Sequence, residues 1–119
     1  MAGLPDVTSH YSSDGLADRL IAILETSGLS RDRITEADLH SVDQMHLRGR
    51  TAAREFLDSL DIKAGDKVLD VGCGLGGPAR MAASRYDADV TGIDLTEAFC
   101  DSARQLNALV GLEGIRIEQ

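Results

Sequence analysis

In the first half of the chain, apolar residues recur at helical intervals. Leu16, Leu20, Ile23 and Leu24 fall on one helical face that Gly28 brings to a stop, and Ser12, Ser13 and Asp14 offer N-cap oxygens ahead of it. Thr35 with Asp38 three residues later resembles a capping box and predicts a short helix over residues 37–42. Ala52, Ala53, Phe56, Leu57 and Leu60 mark a third helical face. Residues 43–49 keep no clean period and read as a loop. Arg31, Asp32 and Arg33 read as a solvated connector, and residues 1–11 are polar and expected to be loose.

The pattern changes after a turn over residues 63–66. Residues 67–71 form a short apolar run of strand length, and glycines at 72, 74, 76 and 77 make a tight loop behind it. Pro78 suits the first turn of a helix, where its missing N–H costs little, and that helix runs to about Tyr86. A second strand over residues 89–93 follows. Thr96 and Glu97 then open a helix carrying Phe99, Ala103, Leu106 and Val110, with Gly111 near its end. A third strand starts at Ile115. Strands alternating with helices predict an α/β fold: the first half of a doubly wound Rossmann-like sheet, three parallel strands preceded by N-terminal helices.

Composition narrows the partners. A length of 119 residues fits one domain, and four aromatics with no Trp require an aliphatic core. The net charge of −8 argues against a nucleic-acid backbone or an anionic membrane, both of which select basic surfaces. Two cysteines, Cys73 and Cys100, are too few for a disulfide framework and suggest a reduced, cytoplasmic chain. No apolar run reaches transmembrane length, and the N-terminus lacks the basic and apolar stretches of a secretory signal.

The chemistry concentrates in Val68-Leu69-Asp70-Val71-Gly72-Cys73-Gly74-Leu75-Gly76-Gly77. Gly72, Gly74 and Gly77 satisfy the dinucleotide fingerprint, and Asp94 lies about twenty residues on, where a ribose-binding acid belongs. That match alone fits NAD as well as S-adenosylmethionine. Asp70 separates them. A carboxylate at the strand end would repel the pyrophosphate that a nicotinamide dinucleotide lays over such a loop. S-adenosylmethionine carries instead a sulfonium and an amino group, both attracted to it. Glycines at 72 and 74 let the backbone approach a ligand.

At these residues the chain resembles a known family. Asp70-Val71-Gly72-Cys73-Gly74-Leu75-Gly76 resembles the first motif of class I S-adenosylmethionine-dependent methyltransferases. The longer run through Pro78, Ala79 and Arg80 looks like the small-molecule branch, which includes the type 11 and the sarcosine/dimethylglycine methyltransferases. Val90-Thr91-Gly92-Ile93-Asp94-Leu95-Thr96 is similar to the second motif. The upstream run Asp43-Gln44-Met45-His46, with Gly49, Ala52 and Ala53, resembles the segment that precedes the first motif. The resemblance covers roughly residues 37–119. It implies an N-terminal helical cap or lid over residues 1–62 and a partial S-adenosylmethionine-binding domain over residues 63–119, truncated in the third strand.

The resemblance also implies roles. Asp70 and Gly72 would face the methionine portion, with Cys73 beside them, and Gly74 would lie under the ligand near the sulfonium and ribose. Asp94 would accept hydrogen bonds from the ribose hydroxyls, and Leu95 would pack on the adenine. Replacing Asp94 is then expected to reduce affinity with little loss of stability. No catalytic residue and no metal ligand can be named. His46 and Arg48 belong either to a lid that contacts cofactor or substrate or to a plain surface loop. Cys73 reads as a small residue in a tight turn, with a reactive thiol as the alternative. His10 and His40 are expected to face solvent, and Arg80 to be an exposed helix residue.

Three functions follow: a methyltransferase acting on a small-molecule acceptor, a non-catalytic S-adenosylmethionine-binding module, or an NAD-dependent oxidoreductase fragment. Asp70 counts against the last. In the family the strand at residues 67–71 is central. Here it is expected to present an open edge and to promote self-association, and the 119-residue chain alone is expected to transfer no methyl groups.

Overall fold

The structure, a computed structural model, describes residues 15–43 and 49–119. Helix α1 (Leu16–Thr26) is followed by a 3-10 turn (Arg31–Arg33), α2 (Glu36–Asp43) and α3 (Gly49–Ser59). Then come β1 (Lys67–Val71), α4 (Gly77–Tyr86), β2 (Asp89–Ile93), α5 (Glu97–Leu109) and β3 (Arg116–Glu118). The strands pair in parallel in the order β1-β2-β3. The α/β expectation is met, with three helices ahead of a three-stranded parallel sheet.

Local chemistry accounts for most helix ends. Beyond α1, Gly28 takes a left-handed φ of +103°. Its N–H donates to the Glu25 carbonyl and that of Leu29 donates to the Leu24 carbonyl, a Schellman closure. At α2, the Thr35 N–H donates to Asp38 Oδ2 at 2.8 Å and the Asp38 N–H reaches the Thr35 hydroxyl at 3.4 Å, so the reciprocal box forms. The Thr35 amide, then its hydroxyl, hold the Asp38 carboxyl below its ordinary range. Ser12, Ser13 and Asp14 lie outside the described residues. Gly15 stands at the N-cap of α1 without a side-chain bond.

Helices α4 and α5 cover one face of the sheet, α4 against β1 and β2 and α5 against β3. Ala79, Met81, Ala82, Val90, Cys100, Ala103 and Ile117 pack there. A second cluster joins α1 to α5: Ala17, Ile21, Leu24, Ile34 and Leu39 meet Leu106 and, from the glycine loop, Leu75. The N-terminal helices thus share a core with the loop that carries the chemistry.

Several expected positions shift. The buried stripe of α1 is Ala17, Ile21 and Leu24, with Leu16 and Leu20 partly buried beside it and Ile23 turned outward. On α3, Ala53 and Leu57 enter the core while Phe56 and Leu60 stay exposed, overhanging the side of β1 that has no neighbouring strand among the described residues. Leu69 and Val71 of β1 are likewise 60% and 73% exposed. His40 does not face solvent. Its side chain is 7% exposed, with Nε2 2.7 Å from Glu36 Oε1. Arg80 is not an exposed helix residue either: it is 0% exposed.

Gly92 shows how tight the sheet face is. A Cβ there would lie 2.9 Å from Cys73 Sγ and 3.0 Å from Ile117 Cδ1. Gly92→Ala is therefore expected to overpack this face and destabilise the fold by about 1–3 kcal/mol in urea denaturation. An unchanged unfolding midpoint would contradict the packing described.

Candidate functional site

The site lies at the C-terminal ends of β1 and β2, where parallel sheets present their ligands. The N–H groups of Gly72 and Cys73 both donate to the Ile93 carbonyl, at 2.8 and 2.9 Å, folding the loop over the end of β2. The Gly76 N–H closes the turn onto the Cys73 carbonyl at 2.8 Å. Gly72 and Gly74 have φ of +71° and +54°, a region that side chains disfavour, and nothing lies within 4 Å of where a Cβ on either would stand. Between them the Cys73 side chain turns inward against Gly92. The loop therefore alternates: bare backbone outward at the glycines, anchoring side chains inward at Cys73 and Leu75.

Asp94 ties two turns together. Its Oδ2 accepts from the Gly74 N–H and its Oδ1 from the Thr96 N–H, each at 2.9 Å. Thr96 makes no side-chain cap of its own at α5, and the Asp94 bond to the Thr96 N–H forms an Asx turn leading into that helix. The expectation that replacing Asp94 costs little stability does not fit this geometry, because the carboxylate supports two backbone amides.

Asp70 sits half-buried on β1, level with Gly92 on β2. With residues 72–75 it lines one end of a groove of about 810 Å³ that continues along α3 and the open side of β1, past Phe56, Leu60 and Leu69. Asp94 and Leu95 lie outside that lining, so the groove and the Asp94 turn share only the glycine loop. Leu95 is 94% exposed just beyond β2. His10, His46 and Arg48 lie outside the described residues. No group of three or more His, Cys, Asp or Glu that could hold a metal occurs among the described residues.

Burial, and then the nearby Asp70, Cys100 and Asp94, push the Cys73 thiol from 9.0 up to about 12. Burial first, and Asp94 second, also raise Cys100. Neither thiol is poised as a nucleophile, which disfavours the reactive-thiol alternative.

Sequence reasoning missed one component. Arg80 Nη1 donates to Asn107 Oδ1 at 2.9 Å, wholly inside the fold. The signal was the company Arg80 keeps: α4 places Ala79, Met81 and Ala82 beside it, and a helix apolar on most sides is a buried helix.

Residues 36–117 match the family described as mycolic acid cyclopropane synthetase. The chain belongs to this family. Over 48 residues it is 54% identical to phosphoethanolamine N-methyltransferase 3 of Arabidopsis thaliana, covering 40% of this chain and 10% of that protein. Phosphoethanolamine N-methyltransferase 2 of Haemonchus contortus was solved with phosphomonomethylethanolamine and S-adenosylhomocysteine. It superposes with a TM-score of 0.55 at 28% identity, over 58% of this chain and 16% of that one. Geranyl diphosphate C-methyltransferase of Streptomyces coelicolor was solved with Mg2+, geranyl-S-thiolodiphosphate and S-adenosylhomocysteine. It gives a TM-score of 0.53 at 31% identity, over 60% of this chain and 27% of that one. The chain thus spans between a tenth and about a quarter of the length of these relatives.

Two outcomes are expected from this geometry. Asp94→Ala leaves two amides without their acceptor and should lower stability by about 1–3 kcal/mol even without ligand; an unaltered thermal midpoint would show the clasp to be idle. Cys73 and Cys100 should resist a disulfide reagent near pH 8 in the native protein and react once urea unfolds it. Because the folded Cys73 pKa is raised, its contribution to stability is present below about pH 9 and is lost as pH climbs toward 12, the unfolded chain releasing the proton first. Rapid native-state labelling of Cys73 would refute the assignment.

Proposed function

We propose that the protein is an S-adenosylmethionine-dependent methyltransferase acting on a small molecule, with the glycine loop and Asp94 as the cofactor seat. The observation that carries this reading is the bare backbone at Gly72 and Gly74, left-handed and open on its outer side, with the Asp94 carboxylate joined to it. That cradle fits a ligand that lies against backbone, and its carboxylates, Asp70 and Asp94, fit a cationic ligand without phosphates.

When bound, S-adenosylmethionine supplies an electrophilic methyl carbon on a sulfonium whose departure as a neutral thioether needs no strong acid. Asp70 and Gly72 are assigned to the methionine portion, where a carboxylate attracts the ammonium and the sulfonium. Cys73 contributes through its backbone, since its thiol is turned into the core. Gly74 lies under the sulfonium and ribose. Each Asp94 oxygen holds one backbone N–H and keeps a second lone pair for a ribose hydroxyl. Leu95 offers an apolar surface to the adenine. In such a site the protein acts largely by positioning, with a base required only where the acceptor must lose a proton.

The relatives' names include a phosphorylated amine and a prenyl diphosphate as acceptors. The acceptor class we therefore propose is a small molecule, not a nucleic acid, in keeping with the net charge of −8. Residues 1–62 are proposed to cap the site, a reading supported by the core that α1 and α2 share with Leu75. We also propose self-association through β1, for which the exposed Leu69 and Val71 speak, on a strand that has a single neighbour among the described residues. The cytoplasm is the proposed compartment, supported by two buried free thiols. Among the described residues no helix is long and apolar enough to cross a membrane.

Calorimetry tests the central claim. The full-length protein is expected to bind S-adenosylmethionine and S-adenosylhomocysteine and to show no heat with NAD. NAD binding tighter than either sulfur ligand would end the methyltransferase reading.

A further inference from the structure

We infer that Arg80 and Asn107 are positioning residues that hold the glycine loop in its ligand-binding shape from behind; this rests on the function proposed above. The loop poses a physical problem. Glycines at 72, 74, 76 and 77 give it wide intrinsic backbone freedom, and a ligand that had to order it would bind weakly. Pre-organisation must come from outside the loop. On the ligand side it comes from Asp94, which holds the Gly74 N–H. In the middle it comes from Leu75, buried in the cluster with Leu106.

The helix-side end of the loop is Gly76, with φ of +84°. Its outer surface is not open, unlike those of Gly72 and Gly74. A Cβ there would lie 3.0 Å from Arg80 Nη1 and 3.3 Å from Ala103 Cβ. The guanidinium therefore curls back from the first turns of α4 onto the Gly76 backbone; the Arg80 backbone N–H separately makes the first-turn helix bond to the Gly76 carbonyl at 2.9 Å. The same Nη1 donates to Asn107 Oδ1 at 2.9 Å, which anchors the head group to α5. Arg80 is completely buried and Asn107 nearly so.

Burying a guanidinium is costly, and an apolar side chain of similar volume would fill the same space without that penalty. What an apolar replacement cannot do is fix a planar head group in one orientation against Gly76. The loop is thereby clamped at both ends onto α5: Gly74 through Asp94 to the N–H of Thr96 at its start, Gly76 through Arg80 to Asn107 near its end.

The test is calorimetric titration of S-adenosylhomocysteine into the full-length protein and its variants, at a temperature where circular dichroism shows each to be folded. Arg80→Met and Asn107→Leu each remove one side of the bond and are expected to weaken binding roughly tenfold. Asn107→Asp keeps the acceptor oxygen and should stay within about threefold of wild type. Ile115→Ala truncates the core at the opposite end of the sheet from the loop; it should lower the melting temperature and leave affinity unchanged. Should Arg80→Met fail to fold, Arg80→Lys replaces it, since an ammonium keeps the charge and loses the planar fork, with the same expected loss. Wild-type affinity in Asn107→Leu and in the Arg80 variant overturns the positioning role, as does a loss in Ile115→Ala as large as theirs; either leaves the proposed function standing. No binding by the wild-type protein overturns the proposed function and this inference with it.

Discussion

One carboxylate organises the functional end of this molecule. Asp94 accepts the Gly74 N–H on one oxygen and the Thr96 N–H on the other, so the turn after β1 and the turn after β2 are held to each other by a single side chain. The parallel register makes this reachable: Val71 pairs with Ile93, which brings residues twenty apart in sequence to neighbouring strand ends. An ionised acceptor is stronger than a neutral one, and here it stabilises both a helix N-terminus and a glycine loop. Fold and proposed ligand binding consequently draw on the same group.

Close packing beneath that clasp depends on small side chains. Cys73 sits against Gly92, and Ala103 against Gly76, at separations that leave no room for an added methyl group. The aliphatic, Ala-rich core follows from the near absence of aromatic residues, and it allows α4 and α5 to lie close on the sheet. Leu75 extends the effect, because the loop contributes its one large side chain to the α1–α5 cluster.

The two edges of the sheet are treated differently. At β3, the Arg104 guanidinium donates to the Ile117 carbonyl at 3.2 and 2.7 Å, and Arg116 lies 3.1 Å from Asp89 on the neighbouring strand. Charged groups of this kind blunt an edge against further pairing. At β1, Leu69 and Val71 are exposed beside Phe56 and Leu60, and the strand's own charged residues are Lys67 and Asp70.

Local patterns were sufficient for the element order, the Thr35–Asp38 cap, the Gly28 stop and the glycine loop, because each depends on residues within a few positions of one another. The positions of Asp70 and Asp94 at strand ends were equally legible, since strand length and the loop behind it set them. What the chain alone did not reveal were the facts that depend on distant neighbours. Arg80 looks solvent-facing until α5 brings Asn107 against it, and His40 until the fold leaves its side chain 7% exposed. Phe56 and Leu60 look buried until the side of β1 they overhang is seen to carry no strand among the described residues. Asp94 reads as a ligand-binding acid, yet its two backbone partners could be assigned only once the strands were in register. Sequence determined the elements and the chemistry of the loop; tertiary structure decided which polar groups are buried and what they hold, because burial depends on partners supplied by remote parts of the chain.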